Sequence, residues 1–147
     1  MDKLIAALKL QPEDELVLLG DYIDRGEDSK ATIEYLMGLA NRPNTKLLKG
    51  NHEQMLFDAI DDPDGDAAHL WLYHGGSKTS ADYDGYVPVE HEQFLRSLPL
   101  WYRSGRFVFV HAGLHPHRPI LPQLAVPDPD VMLWERDHLK PGEKAWE

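Results

Sequence analysis

Three apolar runs, each followed directly by a polar cluster, constrain the fold of this chain more than any other feature. The three junctions lie within residues 16–21, 45–52 and 106–113. The first run, LVLL, has no polar alternation, which is typical of a strand buried on both faces of a parallel sheet. Since sites in open α/β sheets form beyond the carboxyl ends of the strands, we expect the three polar clusters to converge on one place.

Helical periodicity fills most of the chain between these runs. It predicts helices at residues 3–10, 28–40, 53–60, 67–73, 77–83 and 89–98. Residues 100–103 and 106–110 flank Ser104-Gly105, which is a hairpin signal. Residues 116–141 contain six prolines and predict loops. Strands that alternate with helices predict an α/β sandwich whose sheet is at least partly parallel.

The composition narrows the compartment and the partners. The 147 residues, 42% of them hydrophobic, suit one globular domain, and no apolar run approaches the roughly 18 residues of a membrane span. Cysteine is absent, which excludes a thiol nucleophile and indicates the reducing cytoplasm. A formal charge of −10 repels nucleic acid and anionic membranes, so we expect neither as a partner.

The polar residues at the three junctions suit a metal centre. Asp21, Asn51 and His111 offer a carboxylate, an amide and an imidazole, a donor set that favours manganese, iron or zinc over calcium. A carboxylate can bridge two cations, and two metals about 3.5–4 Å apart acidify a bridging water to hydroxide while they hold phosphoryl oxygens. We therefore expect two divalent ions and phosphoester hydrolysis without a covalent nucleophile.

Neighbouring residues suit the remaining steps of such a reaction. A bond from Asp24 to one imidazole nitrogen of His52 would fix the tautomer, so that the other nitrogen delivers a proton to the leaving alkoxide. Arg25 can hold the charge on the equatorial phosphoryl oxygens. The sequence therefore predicts His52, Asp24 and Arg25 as catalytic residues.

These motifs also carry a family resemblance. Residues 20–26, 50–53 and 111–113, with the sequences GDYIDRG, GNHE and HAG, resemble in order three signature motifs of the phosphoprotein phosphatases, within the calcineurin-like metallophosphoesterases. Residues 71–76 and 133–136 look like the bacterial serine/threonine protein phosphatases. The resemblance implies a sandwich of mixed sheets flanked by helices, and a manganese-dependent bacterial hydrolase.

The same resemblance implies a role for each site residue. The implied metal ligands are Asp21, which bridges the two ions, together with Asn51 and His111. The implied catalytic residues are the acid pair Asp24 and His52, with Arg25 and Arg136 on the phosphate. The matching motifs stand at these positions of the chain.

Two further motifs of that family have no counterpart in this sequence. Family members carry an Asp-x-His-Gly motif ahead of the first helix and a Gly-His motif near the end, and both supply metal ligands. We therefore expect residues 1–147 to form a single, incomplete metallophosphoesterase domain that lacks the first strand with its Asp-x-His motif and the C-terminal Gly-His motif. A ligand count then predicts that this chain alone binds metal poorly and turns over little substrate.

Three functions compete for this sequence. The first is hydrolysis of phosphomonoesters, with phosphoserine or phosphothreonine in a protein, or a small phosphoester, as the substrate. The second is symmetrical diadenosine tetraphosphate hydrolysis, but those relatives usually vary the second aspartate of the Gly-Asp motif and end the next motif in Asp. This chain has Asp24 and Glu53 there, which favours the protein phosphatase. The third is a binding module that kept the fold and lost its metals.

The other histidines and two motif-like segments are expected to have no part in the site. His74 and His115 lie near motif segments and could touch substrate, but we assign them no role. The acidic residues 61–66 lack the glycine and glutamate of a calcium loop. Residues 76–79, GSKT, lack the earlier glycine and the buried strand of a P-loop.

Overall fold

The structure is a computed structural model that describes residues 2–140 and has two small sheets among its helices in that range. The helices are α1 (Asp2–Leu8), α2 (Ser29–Leu39), α3 (Asn51–Asp61), α4 (Asp66–Trp71), α5 (Ser77–Asp82), α6 (Val89–Arg96), α7 (Ile120–Ala125) and α8 (Pro129–Trp134). The strands are β1 (Leu16–Leu18), β2 (Thr45–Leu47), β3 (Trp101–Ser104) and β4 (Phe107–Val110). A kinked turn, Leu72–Gly76, joins α4 to α5, and a 3₁₀ turn, Asp137–Leu139, follows α8.

The first sheet positions two motifs, the Gly-Asp motif at residues 20–26 and the Gly-Asn motif at residues 50–53. β1 pairs in parallel with β2, with Leu16 opposite Thr45 and Leu18 opposite Leu47, and α2 lies between them in the chain. Parallel pairing confirms the expected α/β arrangement. Because both strands run in the same direction, residues 20–26 and 50–53 emerge at the same edge of the sheet.

The prediction that the first strand is buried on both faces is wrong. The three residues of β1 are only half-buried, and Leu19 is 44% exposed. Within residues 2–140, β1 has β2 as its one neighbouring strand, so its other edge is not paired with a strand there. The unbroken apolar run therefore marks a partly exposed edge strand, not a strand buried on both faces.

The second sheet is the expected hairpin. β3 and β4 are antiparallel, with Trp101 opposite Val110 and Ser104 opposite Phe107. Gly105 takes the left-handed conformation that this tight turn needs, with φ of 55°. A hydrogen bond from the backbone N–H of Lys49 to the carbonyl of Pro99, 2.9 Å long, links the approach to the hairpin with the end of the first sheet.

Two hydrophobic clusters hold these elements together. The larger one is built from α2, α3, α4 and α6, and its Ile33, Leu36 and Phe57 are almost fully buried. The smaller one includes Leu114 and Met132 and packs against side chains of the hairpin. Burial of each such side chain contributes about 1.5–3 kcal/mol. The two clusters fix the helices behind the loops that leave the strands.

The loops expected at residues 116–141 are wrong in part, because α7 and α8 lie there. α8 begins at an Asp-Pro pair: the carboxylate of Asp128 accepts a hydrogen bond from the N–H of Asp130, and Pro129 occupies the first turn. Proline is tolerated in that turn because its missing N–H has no partner to lose. Residue 141 of this expectation lies outside the described residues.

The helices of the described part are short. None between residues 2 and 140 is both long and apolar enough to cross a membrane.

Candidate functional site

Residues from all three strand ends meet at one point. His111 Nε2 lies 2.9 Å from Asn51 Oδ1 and 3.5 Å from Asp21 Oδ1. Asp21 Oδ1 also accepts a hydrogen bond from the backbone N–H of His52, at 3.2 Å. The convergence expected from the sequence is present, and we call Asp21, Asn51 and His111 the ligand cluster. The metal-binding roles of these residues stay a prediction.

Each member of the ligand cluster is placed by local structure. Asp21 follows β1 in a left-handed conformation, with φ of 58°. Asn51 is the first residue of α3, two positions earlier than the sequence predicts. His111 follows β4, and its Nδ1–H donates to the carbonyl of Leu19 at 2.7 Å. This bond ties the end of β4 to the end of β1.

The atoms of the ligand cluster match the surroundings of one divalent cation. Because Nδ1 of a neutral His111 carries the proton that Leu19 accepts, Nε2 turns a lone pair toward Asn51 Oδ1 and Asp21 Oδ1. In this state no proton lies between Nε2 of His111 and the two oxygen atoms, so all three atoms can donate electron pairs to a cation. Ligand atoms about 2.1 Å from an octahedral ion stand about 3 Å apart, close to the spacing here. The nitrogen and oxygen set suits manganese, iron or zinc.

The described residues offer fewer ligands to a second ion. In the part of the chain that the structure describes, no group of three or more acidic, histidine or cysteine side chains could hold a metal. Asp21, with its side chain 38% exposed, could also reach a second ion beside the first. The described residues therefore fit one of the two expected ions, and they form no comparable group for the second.

The pairing expected between His52 and Asp24 is present. His52 Nδ1 lies 2.6 Å from Asp24 Oδ2, and the two side chains are 7% and 0% exposed. A carboxylate accepts and does not donate, so this bond places the ring proton on Nδ1. The Nε2 atom is left to carry the proton that an acid catalyst delivers.

Two more side chains hold the Asp24 carboxylate. The indole N–H of Trp71 donates to Oδ2 at 3.1 Å, and the hydroxyl of Thr79 donates to Oδ1 at 2.6 Å. Sequence reasoning missed both residues, because residues 66–82 showed only helical periodicity. The signal available was the family-like segment 71–76, which begins at Trp71.

A third residue that the sequence analysis left without a role is Glu53. It is fully buried, and its carboxylate accepts the backbone N–H groups of Asp21 and Gly50 on one oxygen and of Tyr22 on the other, at 2.7–2.9 Å. Burial raises the pKa of Glu53, and the three N–H groups act in the opposite direction. Glu53 joins the two motif loops and so sets the position of Asp21.

The two motif loops also touch directly, through glycines. A Cβ atom on Gly20 would lie 2.3 Å from the nitrogen of Gly50, and one on Gly50 would lie 2.3 Å from both the nitrogen and Oδ1 of Asp21. No side chain fits at either position. The glycines therefore let the two loops meet each other.

The two arginines are placed differently. Arg25 is next to Asp24, is exposed, and donates from Nε to the carbonyl of His74 at 3.2 Å. Arg136 is also exposed, and its guanidinium donates to the carbonyl of Trp134 at 3.5 Å. The structure gives Arg136 no hydrogen bond to the ligand cluster or to His52. Its phosphate-binding role stays a prediction.

Comparison with known proteins finds relatives of two kinds for this chain. A symmetrical bis(5'-nucleosyl)-tetraphosphatase of Nitrosococcus oceani is 34% identical over 105 residues, covering 70% of this chain and 34% of that protein. Its counterpart in Shewanella sp. (strain MR-4) is 29% identical over 126 residues, covering 79% and 40%. Serine/threonine-protein phosphatase 2 of Salmonella typhimurium is 26% identical over 146 residues, covering 92% and 61%.

The chain thus spans about two fifths or less of these tetraphosphatases and about three fifths of the phosphatase. The model of one family, described as calcineurin-like phosphoesterase, matches residues 1–147. The motif loops that build the site and this match over the whole chain lead to one assignment. The chain belongs to the calcineurin-like phosphoesterase family.

Proposed function

We propose that this chain forms catalytic machinery for the metal-dependent hydrolysis of alkyl phosphomonoesters, with phosphoserine or phosphothreonine in proteins as the substrate. The observation that carries the proposal is the 2.6 Å bond between His52 Nδ1 and the buried carboxylate of Asp24, beside the ligand cluster. The absence of cysteine supports the cytoplasm as its compartment.

The ligand cluster would hold a divalent ion, with manganese as our first choice and iron or zinc as alternatives. Such an ion, when bound, would acidify a water and neutralise charge on the phosphoryl oxygens. Asp21, Asn51 and His111 would hold it through one carboxylate oxygen, one amide oxygen and one ring nitrogen. Because the described residues form no comparable group for a second ion, completing the expected pair requires other ligands.

His52 is the proposed acid. In hydrolysis the bond from phosphorus to the alcohol oxygen breaks, and a bond from phosphorus to a water oxygen forms. The Nε2–H of His52 gives its proton to the leaving alkoxide, the attacking water loses one proton to solvent, and His52 is reprotonated from solvent. The carboxylate of Asp24 stabilises the charged ring from the Nδ1 side.

Arg25 is proposed to bind the phosphoryl oxygens. It follows Asp24 directly, and its Nε is held by the carbonyl of His74, while the guanidinium as a whole is exposed. A planar guanidinium can donate two parallel hydrogen bonds to a phosphate. We propose the same role for Arg136, whose preceding residue Glu135 lies with its carbonyl against Gly113, two positions after His111.

The acid pair favours an alkyl ester over a dinucleoside polyphosphate. An alkoxide is a strongly basic leaving group and needs a proton as it departs, whereas a nucleotide leaves as a stable phosphate anion. A buried Asp24 dedicated to His52 is therefore most useful for phosphoserine or phosphothreonine. The similarity to symmetrical tetraphosphatases, at 29% and 34% identity, supports diadenosine tetraphosphate as the second candidate.

A substrate comparison tests the proposal. The complete gene product that contains this chain is assayed with Mn²⁺ on a phosphoserine peptide and on diadenosine tetraphosphate. We expect the peptide to have the higher kcat/KM, and the His52→Asn variant to lose that activity while His69→Asn, an exposed change on α4, keeps it. Preference for the tetraphosphate would move the assignment to the second candidate. If neither substrate is hydrolysed, the remaining candidate is the binding module that kept the fold and lost its metals.

A further inference from the structure

The Asp24 carboxylate is held by a closed set of hydrogen bonds. Its side chain is 0% exposed, Oδ2 accepts from His52 and Trp71, and Oδ1 accepts from Thr79. His52 is the one partner with a proposed chemical task. The other two come from α4 and α5, which lie across the kinked turn from each other.

Thr79 makes two hydrogen bonds to Asp24. Its hydroxyl donates to Asp24 Oδ1 at 2.6 Å and accepts the backbone N–H of Asp24 at 2.9 Å. Ser29 Oγ lies a further 2.9 Å from the same hydroxyl oxygen and can donate to it. A hydroxyl has one proton and two lone pairs, so all three are used. Thr79, itself fully buried, therefore fixes both the backbone and the carboxylate of a residue in a left-handed conformation, φ 66°.

Trp71 is locked against the same region. A Cβ atom on Gly76 would come within 2.3 Å of the Trp71 ring, so the indole lies directly on that glycine. Gly75, with φ of 114°, leaves room for Arg25, whose Cγ would be 2.9 Å from a Cβ there. The turn between α4 and α5 is thus shaped to put an indole N–H and a hydroxyl on one carboxylate.

We infer that Thr79 and Trp71 are positioning residues for acid catalysis by His52, acting through Asp24; this rests on the proposed function. Together they fix the carboxylate rotamer, so that Oδ2 faces His52 Nδ1 and the transferable proton stays on Nε2. Without either donor the carboxylate gains a second orientation, and the His52 ring loses its fixed tautomer. Neither residue has a hydrogen bond to Asp21, Asn51 or His111, so we expect ion binding to be unaffected.

The test compares two leaving groups in the complete gene product with Mn²⁺. We expect Thr79→Val and Trp71→Phe to lower kcat on a phosphoserine peptide by about 10–100-fold, the range for an outer hydrogen-bond partner. On p-nitrophenyl phosphate, whose phenolate leaves without a proton, kcat changes by less than about threefold because the acid step matters little. Thr79→Ser keeps the hydroxyl and restores peptide turnover. Bound manganese stays unchanged.

Matched controls and a second readout decide the outcome. Thr32→Val and Trp101→Phe remove the same groups away from Asp24 and leave both activities unchanged. Equal losses on both substrates, or no loss on the peptide, would overturn the positioning role.

A second measurement follows the ring proton itself. In the wild-type chain, NMR should show a slowly exchanging Nδ1 proton on His52 that disappears in Thr79→Val and Trp71→Phe. Its persistence in both variants would also overturn the inference, whereas an inactive wild type with the expected NMR result would refute only the proposed function.

Discussion

His111 Nε2 lies 2.9 Å from Asn51 Oδ1, while the other nitrogen of the ring donates to the carbonyl of Leu19. In a neutral His111 with its proton on Nδ1, the two facing atoms are both electron-pair donors. They come from positions 60 residues apart in the chain and meet because β4 ends beside the first sheet. A cation between them and Asp21 would satisfy all three donors, which makes this contact the structural basis for expecting a metal here.

The first prediction concerns His111. His111→Ala removes one of three donors from the ligand cluster, so the dissociation constant for Mn²⁺ should rise by at least about 100-fold, the upper end for loss of an outer partner. Isothermal titration of the complete gene product measures it. His69→Ala, an exposed change on α4, should leave the affinity unchanged. Unaltered affinity in His111→Ala would remove His111 from the ligand set.

The second prediction concerns the charge on Asp24. Asn adopts the left-handed conformation as readily as Asp, so Asp24→Asn should keep the loop and lose the anion beside His52. We expect kcat on a phosphoserine peptide to fall by about 10²–10⁴-fold, the usual contribution of a positioned acid, with Mn²⁺ affinity nearly constant. Asp84→Asn makes the same change at an exposed residue with φ of 51° and serves as the control. A large loss of affinity would mean that Asp24 helps to hold metal.

A third prediction follows from the contact between the motif loops. Gly50→Ala places a Cβ atom 2.3 Å from the nitrogen and Oδ1 of Asp21, so we expect a loss of about 3 kcal/mol in the free energy of unfolding together with weaker metal binding. Gly38→Ala is the matched control, because a Cβ there meets nothing within 4 Å. Gly38 lies inside α2, where alanine should add about 0.5–1 kcal/mol of stability. Denaturant unfolding measures both, and equal stability of the two variants would contradict the packing described.

Much of this arrangement follows from local patterns in the sequence. The short strands, the hairpin and most helices follow from periodicity and turn residues, and the shared edge of the parallel strands β1 and β2 predicts that Asp21 and Asn51 converge. His111 reaches them from the separate hairpin sheet, through its bond to the carbonyl of Leu19. The support for Asp24 does not follow from such patterns, because Thr79 lies 55 residues away and periodicity does not say which face of α5 meets which loop. The sequence did not predict α8 for another reason, because its Asp-Pro start is also typical of a loop.

The fourth prediction concerns Glu53, whose importance also depends on long-range contacts. Glu53→Gln replaces one accepting oxygen by an NH₂ group, which would face a backbone N–H of the motif loops instead of accepting it. We expect unfolding free energy to fall by about 1–3 kcal/mol, the cost of an unsatisfied buried donor, and Mn²⁺ affinity to fall with it because Asp21 shifts. Gln54→Ala, at the neighbouring half-buried position, should change neither quantity comparably. Undiminished stability and affinity in Glu53→Gln would show that the loops hold their positions without it.

Anomalous diffraction from crystals of the complete gene product grown with Mn²⁺ locates a bound ion among its ligands. We predict a manganese peak about 2.0–2.3 Å from the carboxylate of Asp21, the amide oxygen of Asn51 and Nε2 of His111, with the His52–Asp24 pair beside it. A manganese peak held by other residues, or no peak at this ordered cluster in the presence of excess Mn²⁺, would contradict the account.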